Sequence, residues 1–585
     1  MDEEAARATL ATWRESRPGN YYDATPNLAR VLAFRAGPER LSAMEPRLRA
    51  FGREVAEVVD PSVDILERHR EFPAHVAYDP VGRRIEEVEF HPEQRRAGQA
   101  VWGSGMLATS RGEGAFELAA LFYLLSHAGE GGHACPVVCT VGLARAVEHR
   151  GSEALKARYL ELLRSTDFGR CLRASQFLTE VQGGSDVGAN TTRAVPDDYV
   201  AGAWRLSGEK WFCSVADADV FAVTARRSDG PAGTRGLGCF LVPRHLEDGA
   251  VNGFRIRRLK DKLGTRALAS AEMDFDGALA WPIGPIGEGF HVVVEELLNT
   301  SRWLNAVGST GLMRRAYLEA SSFARHRSAF GRSIGSFPPV REQLAVIKSE
   351  EHAALSSTMA LTGLLDRLDR GLAREGEAET YRVLVNVNKY LTSVAATDVV
   401  HRAVEVLGGN GTIEDFSPLP RLYRDALVFE SWEGTHNVLC AQVYRDCLKL
   451  SLLDHVFSWT KSQLAASGEA EGDTAQAVAL AADSLQDRMK RSLEDPEHAA
   501  AHFRRQLGHL MRVIQAACLL AEAHPGQQDH GAAARGTGRR GAGGGDEKAA
   551  VAELFVRRHL LPYYEPEDDP RWQALVEETL AGEAG

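Results

Sequence analysis

Little in this 585-residue chain points to an oxidising compartment, a membrane or a polyanion. There are 8 cysteines, too few to staple a chain of this length, and they read most simply as reduced thiols of a cytoplasmic protein. No apolar run reaches the roughly 20 residues that a membrane span needs. The stretch from Phe116 to Leu125 covers about half of that. Positive charge is in deficit: 68 Lys and Arg stand against 80 Asp and Glu, a net charge of −12. That balance argues against general binding to nucleic acid or anionic membranes. The first residues, Met1-Asp2-Glu3-Glu4, are acidic where a targeting peptide would be basic. Walker A and HExxH sequences are absent, and no internal repeat is visible. The GxGxxG match at Gly536 to Gly541 lies in a Gly/Arg stretch with no strand before it, which discounts it as a dinucleotide fingerprint. Cys135 and Cys139 have CxxxC spacing without a second ligand pair, so two core thiols explain them better than a metal.

What remains is the composition of an ordinary globular protein, 44% hydrophobic and 25% charged. The first 165 or so residues read as helical. Leu48, Phe51, Val55, Val58 and Val59 recur at helical spacing until Pro61 breaks the pattern, and Phe116 to Leu125 reads as a buried helix. Near residue 170 the period changes. Trp204 to Phe212 reads as two strands about a Ser207-Gly208 turn. Val220–Ala225, Cys239–Val242, Phe254–Ile256 and Met273–Phe275 are short, β-rich and separated by Gly, Asp or Pro. Helical periodicity returns after Gly289, clearest at Val383, Val387, Tyr390, Leu391 and Val394, and should end near Gly408-Gly409. The expected domains are therefore helical (1–168), β (169–285), helical (286–450) and a helical extension (451–585). A disordered Gly/Ala/Arg loop is expected at 531–545.

Three segments carry chemistry. In Leu178-Thr179-Glu180-Val181-Gln182-Gly183-Gly184-Ser185-Asp186, two hydroxyls and two glycines would let backbone amides approach a planar or anionic ligand; a surface turn has the same composition. In Arg325-His326-Arg327-Ser328-Ala329-Phe330-Gly331-Arg332, arginines beside an aromatic suit a phosphate and a stacked ring; a solvated basic helix end is equally consistent. The third is Leu407-Gly408-Gly409-Asn410-Gly411 followed by Ser431-Trp432-Glu433-Gly434-Thr435-His436-Asn437. A glutamate between Trp and Gly could be a desolvated base or a helix cap.

In this order and at these separations, the segments resemble the acyl-CoA dehydrogenase family from about Asn20 to Leu450. Asn20-Tyr21-Tyr22-Asp23, Arg84-Ile85-Glu86-Glu87-Val88-Glu89-Phe90-His91-Pro92, Lys210-Trp211-Phe212-Cys213-Ser214, Arg325-His326-Arg327 and Leu419-Pro420-Arg421-Leu422-Tyr423-Arg424 resemble its adaptive-response, AidB-like branch. The resemblance implies an α+β fold: an N-terminal helical domain, a middle β domain and a C-terminal helical bundle, here with an extra helical extension. It implies FAD as cofactor. Thr179 and Ser185 would line the flavin and thioester region, and Trp211 would pack on the isoalloxazine ring with Cys213 beside it. Arg327 and Phe330 would meet the FAD pyrophosphate and adenine from a neighbouring subunit of a homotetramer. Gly408, Gly409 and Gly411 would bring backbone amides to the same cofactor, and Thr435 and Asn437 would be further contacts. Glu405 stands where many relatives carry Gln, and a carboxylate there would have to point away from the pyrophosphate. Phe337-Pro338 replaces a polar pair. Glu433 matches the catalytic base. The alternative base position of some relatives, within Asn299-Thr300-Ser301-Arg302, carries Ser301, which cannot serve. Arg302 is either an electrostatic neighbour of the substrate or a structural helix arginine.

The activity implied is α,β-desaturation of an acyl-CoA thioester. Glu433 would take the α-proton while a hydride leaves for the flavin, and an electron-transfer flavoprotein or another acceptor would reoxidise it. The alternative is an AidB-like alkylation-response flavoprotein associated with DNA, with weak dehydrogenase activity. Charge argues against DNA as a partner, because residues 451–585 alone carry 14 Lys and Arg against 21 Asp and Glu.

Overall fold

A computed structural model describes residues 3–467, 472–524 and 544–581. The part of the expected 531–545 loop up to residue 543 lies outside the described residues, and a helix, Gly544–Leu560, opens at its end. The chain forms two units. One takes the chain through Pro46, then Ser309–Ala426 and everything from His436 on; the other takes Arg47–Gly308 and Leu427–Thr435. Among the described residues, no helix is long and apolar enough to cross a membrane.

The Arg47–Gly308 unit is built on a β-barrel. Its strands are β3 (Ala174–Phe177), β4 (Arg193–Pro196), β5 (Trp204–Ser214), β6 (Val220–Arg227), β7 (Leu237–Pro243), β8 (Phe254–Leu259) and β9 (Ser270–Pro282). The pairings β6–β4–β5–β9–β7–β6 close a ring, with β3 parallel on β6 and β8 antiparallel on β9. Inward-facing Phe177, Leu206, Phe221, Phe240, Met273 and Phe275 fill it, as period-2 alternation in half-buried strands requires. The expected turn at Ser207-Gly208 is instead a bulge inside one continuous strand, where the register to β9 slips between Leu206 and Ser207. Gly208 sits at φ +144°, and a Cβ there would stand 2.7 Å from Thr192 Cα. The glycine marks a bent strand pressed against its neighbour, not a chain reversal.

The helices before the barrel include Pro38–Glu54, Asp60–His69, Pro92–Gly103, Ala115–Leu125 and Ala134–Arg150. Pro61 does not end a helix. It stands just after a π-helical turn, Val55–Val59, that joins Pro38–Glu54 to Asp60–His69 with helical backbone throughout. The helical reading of this region also missed a hairpin, β1 (Ala74–Tyr78) with β2 (Arg84–Glu89). Ile85 and Val88 stand three apart, off the strand period, because the register slips between them, and Asp79 accepts hydrogen bonds from the turn amides of Val81 and Arg83.

The second unit is helical around Pro338–Asp369, buried at every position from Leu344 to Asp366. Helix Glu377–Leu407 ends at Gly408, φ +61°. The two-residue strands β10 (Ser328–Ala329) and β11 (Arg332–Ser333) form a tight hairpin. The extension contributes helices Leu453–Ala465, Asp473–Glu494, Pro496–Ala523, Gly544–Leu560 and Trp572–Leu580.

Candidate active site

Glu433 lies in the short link between helices Leu419–Ser431 and His436–Leu450. Its φ is +58°, a left-handed conformation unusual for a non-glycine residue, and Gly434 follows at +105°. Two anchors hold the strained residue. Before it, Trp432 stacks on Phe429 at 5.0 Å and packs against the barrel core. At the residue itself, Arg302 Nε donates to the Glu433 carbonyl oxygen at 3.0 Å. Arg302 is buried and also reaches Asn299 Oδ1 at 3.4 Å. It is thus a positioning residue for the Glu433 backbone, which the sequence left undecided. Ser301 is buried on the same helix.

The Glu433 charge reaches helix Ala134–Arg150. The Cys135 thiol is pushed up by its hydrogen bond with Cys139 and by burial, with the charges of Glu130 and Glu433 adding to the effect. Its sulfur lies 3.8 Å from Cys139 Sγ.

The Leu178–Asp186 loop presents Ser185 at the surface, with Thr179 half-buried. Its anchor is Glu180, which sequence reasoning passed over. Glu180 is 1% exposed, and Lys210 Nζ, itself fully buried, donates to it at 2.8 Å. The Thr191 amide and hydroxyl, at 2.6 and 2.9 Å, and the Thr192 amide, at 3.1 Å, donate as well. Burial pushes the Glu180 carboxyl up, but Lys210 and these donors pull it down further, to about 2. The buried pair thereby fixes the loop whose two hydroxyls were singled out.

On β5 the expected pair of Trp211 and Cys213 needs correction. Cys213 is wholly buried in the barrel core and its thiol points to the Lys210 carbonyl. Phe212 is 51% exposed. Locally, alternation puts Phe212 and the half-buried Ser214 on the outer face, with Cys213 inside. The Ser214 hydroxyl shares a hydrogen bond with Ser270 at 3.0 Å. Trp211 stays close, its amide donating to the Thr179 carbonyl at 2.8 Å. Lys260 Nζ stands 3.5 Å from the Trp211 ring centre and 4.8 Å from that of Phe212. The outward pair available to a flat ligand is Phe212 and Ser214. A register slip between Lys210 and Cys213 turns Phe212 outward, so counting by two along the strand would have placed it inside.

Arg327, Phe330, Gly408, Gly409, Gly411 and Asn437 belong to the helical unit, whereas Thr435, exposed, ends the barrel unit. Arg327 joins helix Asn299–His326 to the hairpin, where its carbonyl accepts from the Ile334 amide at 2.8 Å. Phe330 and Gly331 form the tip, at φ +52° and +81°. The Phe330 ring is 97% exposed. Gly408 and Gly409 have open space where a Cβ would stand, while at Gly411 a Cβ would meet the Val404 carbonyl oxygen at 2.6 Å. Glu405 accepts from Gln343 Nε2 at 2.6 Å, and Gln343 Oε1 in turn accepts from Arg402. Asn437 Oδ1 accepts from Arg504 of the extension at 2.7 Å, an engagement the sequence did not suggest.

Three family models match this chain: "Adaptive response protein AidB N-terminal domain" over residues 14–170, "Acyl-CoA dehydrogenase, middle domain" over 175–278, and "Acyl-CoA dehydrogenase, C-terminal domain" over 287–448. The putative acyl-CoA dehydrogenase AidB of Escherichia coli (strain K12) is 35% identical over 415 residues, 67% of this chain and 73% of that protein. Among solved structures, Caenorhabditis elegans ACDH-11 in complex with C11-CoA superposes with a TM-score of 0.82 at 27% identity, covering 95% of this chain and 94% of its own. An acyl-CoA dehydrogenase complexed with FAD from Bacillus anthracis shares the fold, with a TM-score of 0.70 at 20% identity, over 93% of this chain and 89% of its own.

Proposed function

The chain belongs to the acyl-CoA dehydrogenase family, in its AidB-like branch, and from that premise we propose that it is an FAD enzyme desaturating acyl-CoA thioesters with Glu433 as base. The observation that carries the reading is the Arg302–Glu433 bond. A glutamate in a strained backbone conformation, fixed by a buried arginine and a packed tryptophan, is a held group rather than a loose cap.

The residues fit FAD. Phe212 and Ser214 offer an aromatic face and a hydroxyl, with Trp211 and Thr179 behind them. The open backbone at Gly408 and Gly409 suits a diphosphate, and Glu405 is engaged by Gln343. When bound, FAD supplies the acceptor for the β-hydride. Glu433 accepts the α-proton of the thioester on its carboxylate. Arg302 keeps that carboxylate in register by holding the backbone. The Leu178–Asp186 loop, fixed through Glu180, presents Thr179 and Ser185 towards the thioester. An electron-transfer flavoprotein or another acceptor takes the electrons. Assembly is through copies of this chain, in a homotetramer: Phe330, exposed on a strained turn with an edge contact to Phe337, offers its ring to a partner.

The test is anaerobic mixing with a panel of acyl-CoAs while flavin absorbance is followed. The parent should bleach on at least one thioester. Glu433→Gln should fold, hold FAD and bind acyl-CoA, yet lose at least about 1,000-fold in bleaching rate, at the upper end of acid–base contributions. Equal rates in both proteins would remove Glu433 from the role. The match of residues 14–170 to the AidB N-terminal domain supports a second reading, an alkylation-response flavoprotein associated with DNA. It predicts duplex retention that weakens steeply with salt and at most slow bleaching by any thioester.

A further inference from the structure

The barrel unit holds a cavity of about 790 Å³ that none of Thr179, Ser185, Phe212, Arg302 or Glu433 lines. Its size is that of a small-molecule site, about 300–1,000 Å³. One wall is helix Pro92–Gly103, through Gln94 and Trp102. Others are the strand β2 end at Glu87 and Val88, the Phe168–Arg173 segment, and the barrel rim at Asp217, Asp219, Arg244 and His245. It meets helix Ala134–Arg150 at Pro136, whereas Cys135, next to it, feels the Glu433 charge. The cavity therefore addresses a different face of that helix.

Two polar groups in this wall lack a hydrogen-bond partner, and a third is a buried cation held mainly by carbonyls. Gln94 is 7% exposed, and its Nε2 donates to the Gly132 carbonyl at 3.0 Å, but its Oε1 has no hydrogen-bond partner. Trp102 is 1% exposed and its indole N–H also has none. Arg244 is 5% exposed and donates to the carbonyls of Ala216, at 2.9 Å, and Glu86. Its guanidinium stands 5.5 Å from the Phe254 ring centre and feels the charges of Asp217, Asp219 and Glu87, without a direct ion pair among the described residues. A buried acceptor and donor left unpaired are each costly in a folded protein. The acidic residues of the lining are already occupied or solvated. Asp217 pairs with Arg173, Asp219 accepts from the Arg173 amide at 2.7 Å, and Glu87 is exposed. The rest of the lining is mixed: Val88, Phe90, Pro136, Phe168 and Leu268 are apolar, while His91, Arg95 and His245 add polar edges.

Two buried groups of the lining are unsuited to nucleophilic or acid–base work. Burial pushes the Cys171 thiol up to about 12 and the His133 imidazole down to about 4, so the first is no thiolate and the second stays neutral near pH 7. The wall is nevertheless held under strain. Glu86 is buried at φ +50°, its carboxylate taking the Ile256 amide at 2.9 Å and His75 Nε2 at 2.9 Å, while its carbonyl takes Arg244. Such an over-determined residue points to a site that must keep its shape.

We propose that this cavity is a second ligand site, taking an elongated amphiphilic carboxylate with a hydroxyl along its chain. The carboxylate answers Arg244 and the Trp102 N–H. The hydroxyl answers Gln94 Oε1. The chain lies on Phe90, Pro136, Phe168 and Leu268. Gln94 and Trp102 stand eight residues apart on one helix, about 12 Å along its axis, so one ligand meeting both has to be extended.

Calorimetry on the FAD-loaded protein with 10-hydroxydecanoate, decanoate and decane-1,10-diol tests each anchor separately. The hydroxy acid should bind about tenfold more tightly than either of the others, the cost of one unpaired buried group. Gln94→Leu should bring the hydroxy acid to the level of decanoate and leave decanoate unchanged. Arg244→Gln should erase the preference for acid over diol. Should that variant fail to fold, Trp102→Phe, which keeps the ring and removes the donor, should weaken both acids and leave the diol unchanged. Equal binding of the three compounds, or none, overturns the proposal. So does binding that shifts the flavin absorbance and is indifferent to Gln94→Leu, since the ligand would then occupy the thioester site.

Discussion

At the scale of single residues, two positions show how one atom's surroundings decide its use. Cys213 and Phe212 are neighbours, yet one is sealed in the barrel and the other faces out. Phe212→Ala should lower FAD retention on dilution and shift the flavin spectrum, because a ring face is removed. Cys213→Ser should leave the spectrum alone and lower stability by about 1–3 kcal/mol, the cost of a poorly satisfied buried hydroxyl. A flavin change in the Ser variant with none in the Ala variant would return the role to Cys213. Glu180 yields a pH prediction. Its carboxyl falls from the ordinary 4.5 to about 2 in the folded chain. A depressed folded value means that its stabilisation is complete above about pH 4.5 and is lost as pH falls towards 2. Acid titration followed by circular dichroism should show a component in that window that is missing from Glu180→Gln. At neutral pH that variant should lose about 3–5 kcal/mol, because Lys210 is left buried without its partner. An unchanged acid midpoint would show the pair to be inert.

At the scale of elements, the tip of the β10–β11 hairpin combines two costs with one edge contact inside the chain, to Phe337 at 6.2 Å between ring centres. A phenylalanine takes a left-handed backbone conformation and exposes its ring. Phe330→Gly should therefore relax the isolated chain by about 1 kcal/mol while weakening assembly. Light scattering over a dilution series, read beside thermal unfolding, separates the two effects, and a variant that assembles as well as the parent would remove the hairpin from the interface. Element type was legible wherever periodicity was strong. Ala115–Leu125, the end of Glu377–Leu407 at Gly408, and the strands containing Val220–Ala225 and Cys239–Val242 all stand where residue pattern put them. What misled were local signals that tertiary packing overrides. Pro61 looks like a terminator but is carried inside a continuing helix behind a π-helical turn. Ser207-Gly208 looks like a turn and is a bulge, because β9 continues past it. The hairpin β1–β2 sat inside a helical stretch and was too short to stand out. In the site, Glu433 and the glycine turn were visible as motifs. Arg302 was visible as a candidate whose role stayed open, and Glu180 and Phe212 carried no role, since these roles depend on which atom lies opposite and which face a strand turns inward.

At the scale of the whole molecule, the extension is wired into its own unit rather than appended. Within that unit, Lys548 Nζ on helix Gly544–Leu560 meets Glu522 on Pro496–Ala523 at 3.0 Å, both about 1% exposed or less. Lys548 also donates to Asn27 Oδ1 at 3.0 Å and Ser356 Oγ at 3.2 Å, tying the N-terminal helices, the central helix Pro338–Asp369 and the extension to one point. Glu522 serves a second cation, since Arg35 reaches its other oxygen at 3.0 Å. Burial pushes the Glu522 carboxyl up and its cations pull it down further, so it stays charged near neutrality. This sharing sets an order of damage. Lys548→Met leaves Glu522 with Arg35 and the Ser356 hydroxyl. Glu522→Gln strands two buried cations at once. Breaking a buried pair costs about 3–5 kcal/mol when one charge is left alone, so Glu522→Gln should lie at or above that range and Lys548→Met below it. The double variant should be less damaging than the sum of the singles, because it removes one of the stranded charges together with its partner. Urea unfolding of the four proteins measures all three quantities. If Lys548→Met is the worse single variant, or if the two effects simply add, the cluster is not organised around Glu522 and the extension is held by its apolar packing instead.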